Sequence, residues 1–498
     1  MSKRTIGPRL VSWTDENGDM RIDGERTYEA PRDEGRKNAI CYHVGPMPNA
    51  LLESWMSDGD SAHSDRAGKA RSYTYKSLGR SGTFRIMGGD TWSLPPDPDE
   101  AKIVLNQTDE ALKAEGWEWG ATAATIAGRI LDAHGRKIGQ LPPRWRAIAH
   151  EAIYQGPVSV LRGGSGCAVA VDRVAAFLHG LRAPVPVAWS PGIPKWTHAR
   201  RCDGFVFATV NVDSCDLPPL PLRRGGGTLL PVGRIAGAWK IDLLRDAEES
   251  GIVTVEDVHE VAIGAETDRL YERCADRIES ITDKRLRKLA YTRFWGRLAR
   301  LGGWTGVKGF DANRSQWIGS SLWWEWSGHG GDSRKCPPDY RPDHAAYIAG
   351  TNALVMNQSA RLVPSGSLCA AHVDCLWYDY GREPKNLPGE WKIKEVGPAR
   401  FYAPGVYAHG SKLAASGRTP APKTEEEVAE WSSKGSGATW ASRAREWDGD
   451  SCLVSADATS KPLVIYDDSG SRIRYGINDG NWTPKGWKFK SDEESNHE

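Results

Sequence analysis

Apolar and polar positions follow two different patterns along the chain. In some stretches apolar residues return every three or four positions, which predicts amphipathic helices; in others apolar and small residues form short unbroken runs, which predicts buried strands. The helical pattern covers residues 99–116, 121–137, 264–300, 341–363 and 424–431. The strand-like runs are 167–172, 202–212, 367–379 and 389–410. Because the two kinds of element are interspersed without a repeat, the predicted fold class is α+β.

Residues 302–340 follow neither pattern. This stretch is rich in Gly, Trp and Ser and includes GGWTGVKGF and SLWWEWSGHGG. The composition predicts an inserted hairpin or loop between two helices.

The composition limits the kinds of partner and compartment. The chain has 498 residues and a formal net charge of only +1, so any site for a polyanion must be a local basic patch. The 22 Trp residues predict packing anchors, with some acting as stacking platforms. Nine Cys without a Cys-x-x-Cys pair argue against a disulfide framework and a structural zinc site. With no apolar leader and no membrane-length apolar run, we expect a cytoplasmic protein without a membrane partner.

Two apolar runs contain a carboxylate. Asp172 ends the run CAVAVD, and Asp374 lies within SLCAAHVDCLWYD. An ionised Asp in an apolar strand is costly unless its charge is compensated. Divalent cations shared by two such carboxylates provide compensation and clamp the reacting oxygens in phosphoryl transfer. The alternative for Asp172 is that it caps the helix that follows.

We interpret residues 367–379 as one strand. Because side chains alternate along a strand, His372, Asp374 and Leu376 are expected on one face and Asp379 on the other. Asp374 is therefore the predicted catalytic carboxylate, about 4–6 Å from Asp172.

A basic helix face lies between the two carboxylates in sequence. Lys284 and Lys288 are one helical turn apart, so they share a face. Their compact ammonium groups suit a triphosphate. The alternative is an ordinary solvated helix face.

Taken in order, these segments resemble the core of family B DNA polymerases, in the arrangement of protein-primed phage enzymes. VDRVAAFL resembles the first palm motif, Asp-x-x-Ser-Leu-Tyr-Pro, and KLAYTRFWG resembles the fingers motif, Lys-x-x-x-Asn-Ser-x-Tyr-Gly. HVDC is similar to Asp-Thr-Asp-Ser, and YQGP to Tyr-x-Gly-Gly. GEWKIKEVGPARFYAPGVY is similar to the strand pair that ends in Lys-x-Tyr. The resemblance covers about residues 95–410.

The resemblance implies a right hand of palm, fingers and thumb that uses two Mg²⁺ ions, for which Mn²⁺ can substitute. The implied catalytic and metal-binding residues are Asp172 and Asp374. The implied nucleotide-binding residues are Lys284, Lys288, Trp295 and Phe177. The implied DNA-binding residues are Tyr154, Gly156, Lys392 and Tyr407.

HVDC matches Asp-Thr-Asp-Ser in either of two registers. In the first, Asp374 takes the second Asp position, His372 the first and Cys375 the Ser position. In the second, Asp374 takes the first Asp position and Leu376 the second, which removes a metal ligand. We prefer the first register because it retains both metal-holding carboxylates.

Several positions depart from the resembled motifs. The first palm motif has Ala175 and Ala176 where its Ser is expected, and Phe177 in place of its Tyr. In the fingers motif Asn-Ser is replaced by residues 292–293, and Gly405 replaces the Lys of Lys-x-Tyr. These departures support an alternative: a catalytically decayed polymerase-fold protein that binds nucleic acid or has a structural role.

The resemblance also implies a domain order and a set of partners. The expected segments are a degenerate exonuclease-like domain at 1–140, palm with an insertion at 141–262, fingers at 263–301, palm with the Trp/Gly-rich insertion at 302–400, and thumb with a polar tail at 401–498. The insertions at about 185–262 and 302–340 take positions that serve protein priming in the resembled family. The alternative is that they are surface hairpins with no such task. The implied partners are primer–template DNA, dNTPs and a priming terminal protein, in the host cytoplasm if the protein is phage-encoded.

We predict that the protein lacks 3′–5′ exonuclease activity. Residues 1–140 contain no Asp-x-Glu on a predicted strand, and the tripeptide DGE at 23–25 lies in a polar stretch. Labelled single-stranded DNA incubated with the protein and Mg²⁺, without dNTP, should keep its length. Progressive shortening that persists through exhaustive purification would contradict this.

Overall fold

The computed structural model describes residues 9–23, 40–45, 92–117, 122–135, 152–299, 341–415 and 422–433, with short gaps, and further strands by their backbone alone. The insertion predicted at 302–340 lies outside the described residues, as does most of the chain after residue 433.

Helices form in the stretches where the three-to-four spacing predicts them, except that residues 264–268 belong to a strand, and also at 176–182, 196–199 and 241–249. The helices are α1 (Pro98–Ala114), α2 (Ala123–His134), α3 (Ala176–Arg182), α4 (Trp196–Ala199), α5 (Ile241–Glu249), α6 (Glu272–Glu279), α7 (Lys284–Ala299), α8 (Pro342–Leu362) and α9 (Glu425–Ser433). Asp97 caps α1 by accepting a hydrogen bond from Glu100 N at 2.9 Å, and the buried side of the helix includes Leu105 and Leu112. Among the described residues, no helix combines the length and the apolar character needed to cross a membrane.

The strands form separate sheets. They are β1 (Arg9–Thr14), β2 (Met20–Ile22), β3 (Glu25–Arg26), β4 (Ile40–Val44), β5 (Ser61–Ser64), β6 (Ala70–Ser77), β7 (Arg80–Gly88), β8 (Val158–Val160), β9 (Gly166–Arg173), β10 (Val185–Pro191), β11 (Gly204–Val212), β12 (Leu222–Arg224), β13 (Gly227–Leu229), β14 (Gly233–Lys240), β15 (Val253–Asp268), β16 (Leu368–His372), β17 (Cys375–Asp379), β18 (Trp391–Ala403), β19 (Val406–His409), β20 (Lys412–Ala415), β21 (Leu463–Tyr466), β22 (Arg472–Gly476) and β23 (Lys488–Lys490). The mixture of helices and sheets confirms the predicted α+β class.

The first of two compact units is formed mainly by Met1–Ala133 and Asp276–Phe294. Its mixed sheet has the order β3-β2-β1-β4-β7-β6-β5, in which β4 runs parallel to both β1 and β7. On β1, Ser12 Oγ lies 2.9 Å from His43 Nδ1, and both residues are fully buried. Asp23, from the tripeptide DGE, ends the turn after β2, where its carboxylate accepts from Val11 N at 2.9 Å. This carboxylate therefore holds the turn in place.

The second unit contains the other sheets that matter for the site. A seven-stranded antiparallel sheet has the order β20-β19-β18-β9-β17-β16-β8, and a four-stranded sheet has the order β10-β15-β11-β14. Helix α8 is buried along most of its length and packs against α3, α5, β10 and β14. Small residues allow this close packing: a Cβ added at Gly180 of α3 would lie 2.4 Å from Ile348 O of α8.

The start of α8 carries a buried polar cluster. Arg341 donates to both carboxylate oxygens of Asp343, at 3.1 and 2.7 Å. His344 Nε2 lies 2.9 Å from the carbonyl oxygen of Pro186 and 2.7 Å from Arg341 Nη2. The Tyr271 hydroxyl lies 2.6 Å from His344 Nδ1, within hydrogen-bond distance. The cluster joins α8 to β10 and to the residues just before α6.

The same cluster is electrostatically constrained. Burial lowers the pKa of His344 to about 4. Burial alone would raise the pKa of Asp343, but the charge that His344 carries below about pH 4 and the Arg341 guanidinium outweigh it and lower that pKa to about 2. The folded protein thus favours a neutral His344 and an ionised Asp343. Arg341 also donates its backbone N–H to Leu298 O at 2.9 Å, which ties the start of α8 to the end of α7.

Stability should decrease as the pH falls below about 6.5, the ordinary pKa of His. Between about pH 6.5 and 4, residue 344 is protonated in the unfolded chain but stays neutral in the folded chain. Lowering the pH through this range therefore favours unfolding. His344→Gln should be less stable than the wild type at pH 7. Between pH 7 and 4, however, its free energy of unfolding should fall by roughly 3 kcal/mol less than that of the wild type. Urea unfolding at several pH values measures this. The exposed control His134→Gln should keep the wild-type slope, and an unchanged slope in His344→Gln would contradict the assignment.

Candidate active site

The stretch 367–379 is a hairpin and not the single strand predicted from sequence. Strand β16 ends at His372, β17 begins at Cys375, and these two residues pair directly. The connecting residues are Val373, with a φ of +59°, and Asp374, whose N–H donates to His372 O at 2.8 Å. Asp374 therefore lies in the turn.

The turn is held from several directions. Val373 N donates to Pro157 O at 2.7 Å, and Val373 O accepts from Asn352 Nδ2 at 2.9 Å. Gly156 approaches so closely that an added Cβ would lie 2.1 Å from Val373 O. A positive φ in a β-branched residue costs about 1–3 kcal/mol. These contacts explain how the turn keeps a conformation that Val373 disfavours.

Strand β17 pairs antiparallel with β9 and brings the two predicted carboxylates to the same end of the sheet. Cys375 lies directly opposite Asp172, and Arg173 N donates to the carbonyl of Asp374 at 2.8 Å. Directly opposite residues share a sheet face, so Asp172, Cys375 and His372 lie together. Asp374 lies between His372 and Cys375 in sequence, in the turn beside this group.

The predicted assignment of faces is wrong because it assumed one continuous strand. His372 shares its face with Cys375, and Leu376 lies on the opposite face of β17. Asp379 lies on the face of Cys375, four positions along β17, and accepts from the thiol of Cys369 at 3.5 Å.

Asp172 has a cationic partner that the sequence analysis did not name. The register of β18 against β9 shifts between Ile393 and Glu395, so Lys394 is an additional residue in a β-bulge. Its Nζ donates to Asp172 Oδ1 at 3.0 Å. The Asp172 side chain is 18% exposed and that of Lys394 34% exposed, so the ion pair is partly shielded from water.

The groups around this ion pair are held neutral. Burial lowers the pKa of His372, and the charge of Lys394 adds to this effect. Burial and the nearby Asp172 carboxylate raise the pKa of the Cys375 thiol well above its ordinary value, and burial raises that of Tyr407. Burial alone would lower the pKa of Lys394, but Cys375 and Asp172 raise it. The cluster therefore combines one ammonium and one carboxylate with a neutral imidazole, thiol and phenol.

Asp374 faces a different cation. Burial lowers the pKa of Arg173, and the Asp374 carboxylate opposes that shift, so the two side chains interact electrostatically. Arg173 Nη1 donates to Asn352 Oδ1 at 2.9 Å, and Asn352 in turn holds the Val373 carbonyl. Arg173 thus supports the turn that carries Asp374.

The structure brings together the two aromatic residues predicted for the nucleotide pocket. The rings of Phe177 on α3 and Trp295 on α7 have centroids 5.6 Å apart and are tilted by 35°. Trp295 Nε1 donates to Ala345 O of α8 at 3.0 Å, which fixes the orientation of the indole. Both side chains are half-buried.

The remaining predicted residues differ in exposure. Lys284 and Lys288 lie on the exposed face of α7, in the first compact unit. Lys392 is exposed and lies directly opposite Asp172 on β18. Tyr407 packs against Trp377, and Tyr154 is buried at 4% exposure. The DNA-binding roles given to Tyr154, Gly156, Lys392 and Tyr407 stay predictions.

Sequence reasoning missed Lys394, Arg173 and Asn352. The paired lysines of WKIKE were a visible signal for the first, because they share one face of β18, but only the pairing of β18 with β9 brings that face to Asp172. Arg173 directly follows the candidate Asp172, and Asn352 lies far away in sequence within a helix, so neither carried a signal of its own.

Comparisons with known proteins give similarity in fold. No protein-family model and no curated protein matches the sequence. Solved structures of phi29 DNA polymerase are similar at 12% identity: its post-translocation binary complex with primer-template DNA (TM-score 0.57), its complex with single-stranded DNA (0.55), and its ternary complex with primer-template DNA and incoming nucleotides (0.54). The matches cover 83%, 83% and 84% of this chain and 93%, 93% and 94% of the polymerase chain, respectively. The chain therefore has a polymerase-like fold.

Gly156→Ala should destabilise the second unit by about 2 kcal/mol or more. The residue has a φ of +139°, and the new Cβ would meet the Val373 carbonyl of the strained turn. Gly166→Ala is the matched control, because an added Cβ there meets nothing within 4 Å. Denaturant midpoints measure both variants. Equal midpoints for Gly156→Ala and the wild type would show that Gly156 does not constrain the turn.

Proposed function

We propose that the protein is a template-directed DNA polymerase that adds dNTPs to a primer hydroxyl, without proofreading. The observation that carries this proposal is the β9–β17 register, which brings Asp172 and the turn bearing Asp374 to one end of a sheet within a polymerase-like fold. The contact between Phe177 and Trp295 supports it, because these residues come from distant segments that the resemblance assigned to one pocket.

The donor set at this end of the sheet is compatible with Mg²⁺ or Mn²⁺. Asp172 and Asp374 offer carboxylate oxygens, the ligands that these ions prefer. The ion pair of Asp172 with Lys394 shows that this carboxylate attracts a cation. Among the described residues there is no group of three or more His, Cys, Asp or Glu suited to a metal, so substrate phosphates and water would complete the coordination. Bound here, the two ions would neutralise charge on the attacking and leaving oxygens.

The side chains would contribute mainly by positioning the substrates. Phe177 would lie under the sugar of the incoming nucleotide and Trp295 against its base. Lys284 and Lys288 would bind the triphosphate, and Lys392 and Tyr407 would lie along the primer. The primer 3′ hydroxyl attacks the α-phosphate, a new P–O bond forms, and pyrophosphate leaves. A priming protein remains part of the proposal through the resemblance alone, and a cytoplasmic location through the sequence composition alone.

One observation favours a second candidate, a decayed polymerase-fold protein that binds nucleic acid. Lys394 already neutralises Asp172, and the residue directly opposite Asp172 is a thiol with a raised pKa. A protein of this kind would bind primer–template DNA without extending it.

Primer extension on a defined template, with Mg²⁺ or Mn²⁺, separates the two candidates. We expect wild-type extension and a loss of several orders of magnitude in Asp374→Asn, because this change keeps the side-chain shape and removes the charge that would hold the metals. DNA binding should change little in that variant, since phosphate contacts elsewhere supply most of the affinity.

Asp379→Asn is the matched control and should extend primers nearly as the wild type does. DNA binding without extension by the wild type would favour the decayed protein. Wild-type incorporation by Asp374→Asn would refute the catalytic role of that residue.

A further inference from the structure

We infer that Lys394 is a tethered cation that competes with a divalent metal ion for Asp172. This inference rests on the proposed function, because it concerns the site that the two carboxylates would form. The ammonium lies 3.0 Å from Asp172 Oδ1, a position in which it compensates the charge of that carboxylate without any bound ion.

The backbone directs Lys394 to this position. Lys392 lies directly opposite Asp172, so alternation along β18 puts Lys394, two residues further on, on the same face of the sheet. The bulge makes Lys394 an additional residue beside β9. Lys412 Nζ donates to the carbonyl of Lys394 at 3.1 Å, and the same ammonium pairs with Glu395 Oε2 at 3.1 Å. Lys412 belongs to β20, so these contacts hold Lys394 and Glu395 in place from another strand of the same sheet.

A metal ion and the ammonium cannot both lie against one carboxylate without strong repulsion. Binding of the metal at Asp172 must therefore release Lys394. The side chain is 34% exposed and has a flexible stem, so a path into solvent is open to it. In that position the ammonium can pair with a phosphate oxygen of bound nucleic acid or nucleotide. Metal and phosphate would thus bind more readily together than singly.

The first test measures Mn²⁺ binding to the full-length protein by titration calorimetry, without DNA or nucleotide. Lys394→Met keeps the length of the side chain and removes its charge, and it should bind Mn²⁺ about fivefold or more tightly than the wild type does, the gain expected for removing one partly exposed charge pair. Lys102→Met is the matched control: it also removes a partly exposed lysine charge that is paired with an aspartate, Asp23, to which no metal role is given. It should bind Mn²⁺ as the wild type does.

The second test uses only the wild-type protein, so it does not depend on whether a variant folds. Acylation of lysines, read by mass spectrometry, should label Lys394 of the wild type several times faster with Mn²⁺ than without, while the rate at Lys412 stays constant. Unchanged labelling of Lys394 in protein that binds Mn²⁺ would overturn the inference.

The outcomes distinguish this inference from the proposed function. If the wild type binds Mn²⁺ and Lys394→Met binds it no more tightly, or Lys102→Met gains as much, the competition is refuted and the metal site stands. If neither the wild type nor Lys394→Met binds Mn²⁺, the metal site of the proposed function is refuted and the inference falls with it.

Discussion

The antiparallel pairing of β17 with β9 is the constraint on which the candidate site depends. It sets Cys375 opposite Asp172, and through Arg173 N it fixes the carbonyl of Asp374. A shift of this pairing by one residue would turn the thiol and His372 to the other face of the sheet. The contact between Asp172 and Lys394 depends on the same strand, because β9 also pairs with β18 on its other side.

The turn between β16 and β17 shows how tertiary structure supports a local conformation that the sequence disfavours. Val373 has a positive φ, yet Pro157, Gly156 and Asn352 all hold it. Asn352 belongs to α8, whose packing against α3 and the four-stranded sheet depends on small residues. The position of Asp374 is therefore set partly by a helix that contributes no proposed catalytic residue.

Residue patterns predicted the helices and the α+β class because apolar spacing along a helix follows directly from burial of one face. The hairpin at 367–379 was missed because its turn contains neither Gly, Asn nor Pro, and a valine at positive φ contradicts the usual signals. The pairing of Phe177 with Trp295 came from family resemblance, since nothing in their local sequence connects them. Lys394 was missed because alternation shows that it shares a face with Lys392 but does not show that β18 pairs with β9 opposite Asp172.

The hydrogen bond from Arg341 N to Leu298 O has a consequence for how this chain can change during evolution. The two ends of the segment between α7 and α8 meet at one point, and the buried Arg341–Asp343–His344 cluster secures that point from the side of α8. Because Arg341 N and Leu298 O lie 2.9 Å apart, their hydrogen bond joins the end of α7 to the start of α8 whatever the number of residues between them. Related chains could therefore differ in that number and still start α8 at the same point beside α7.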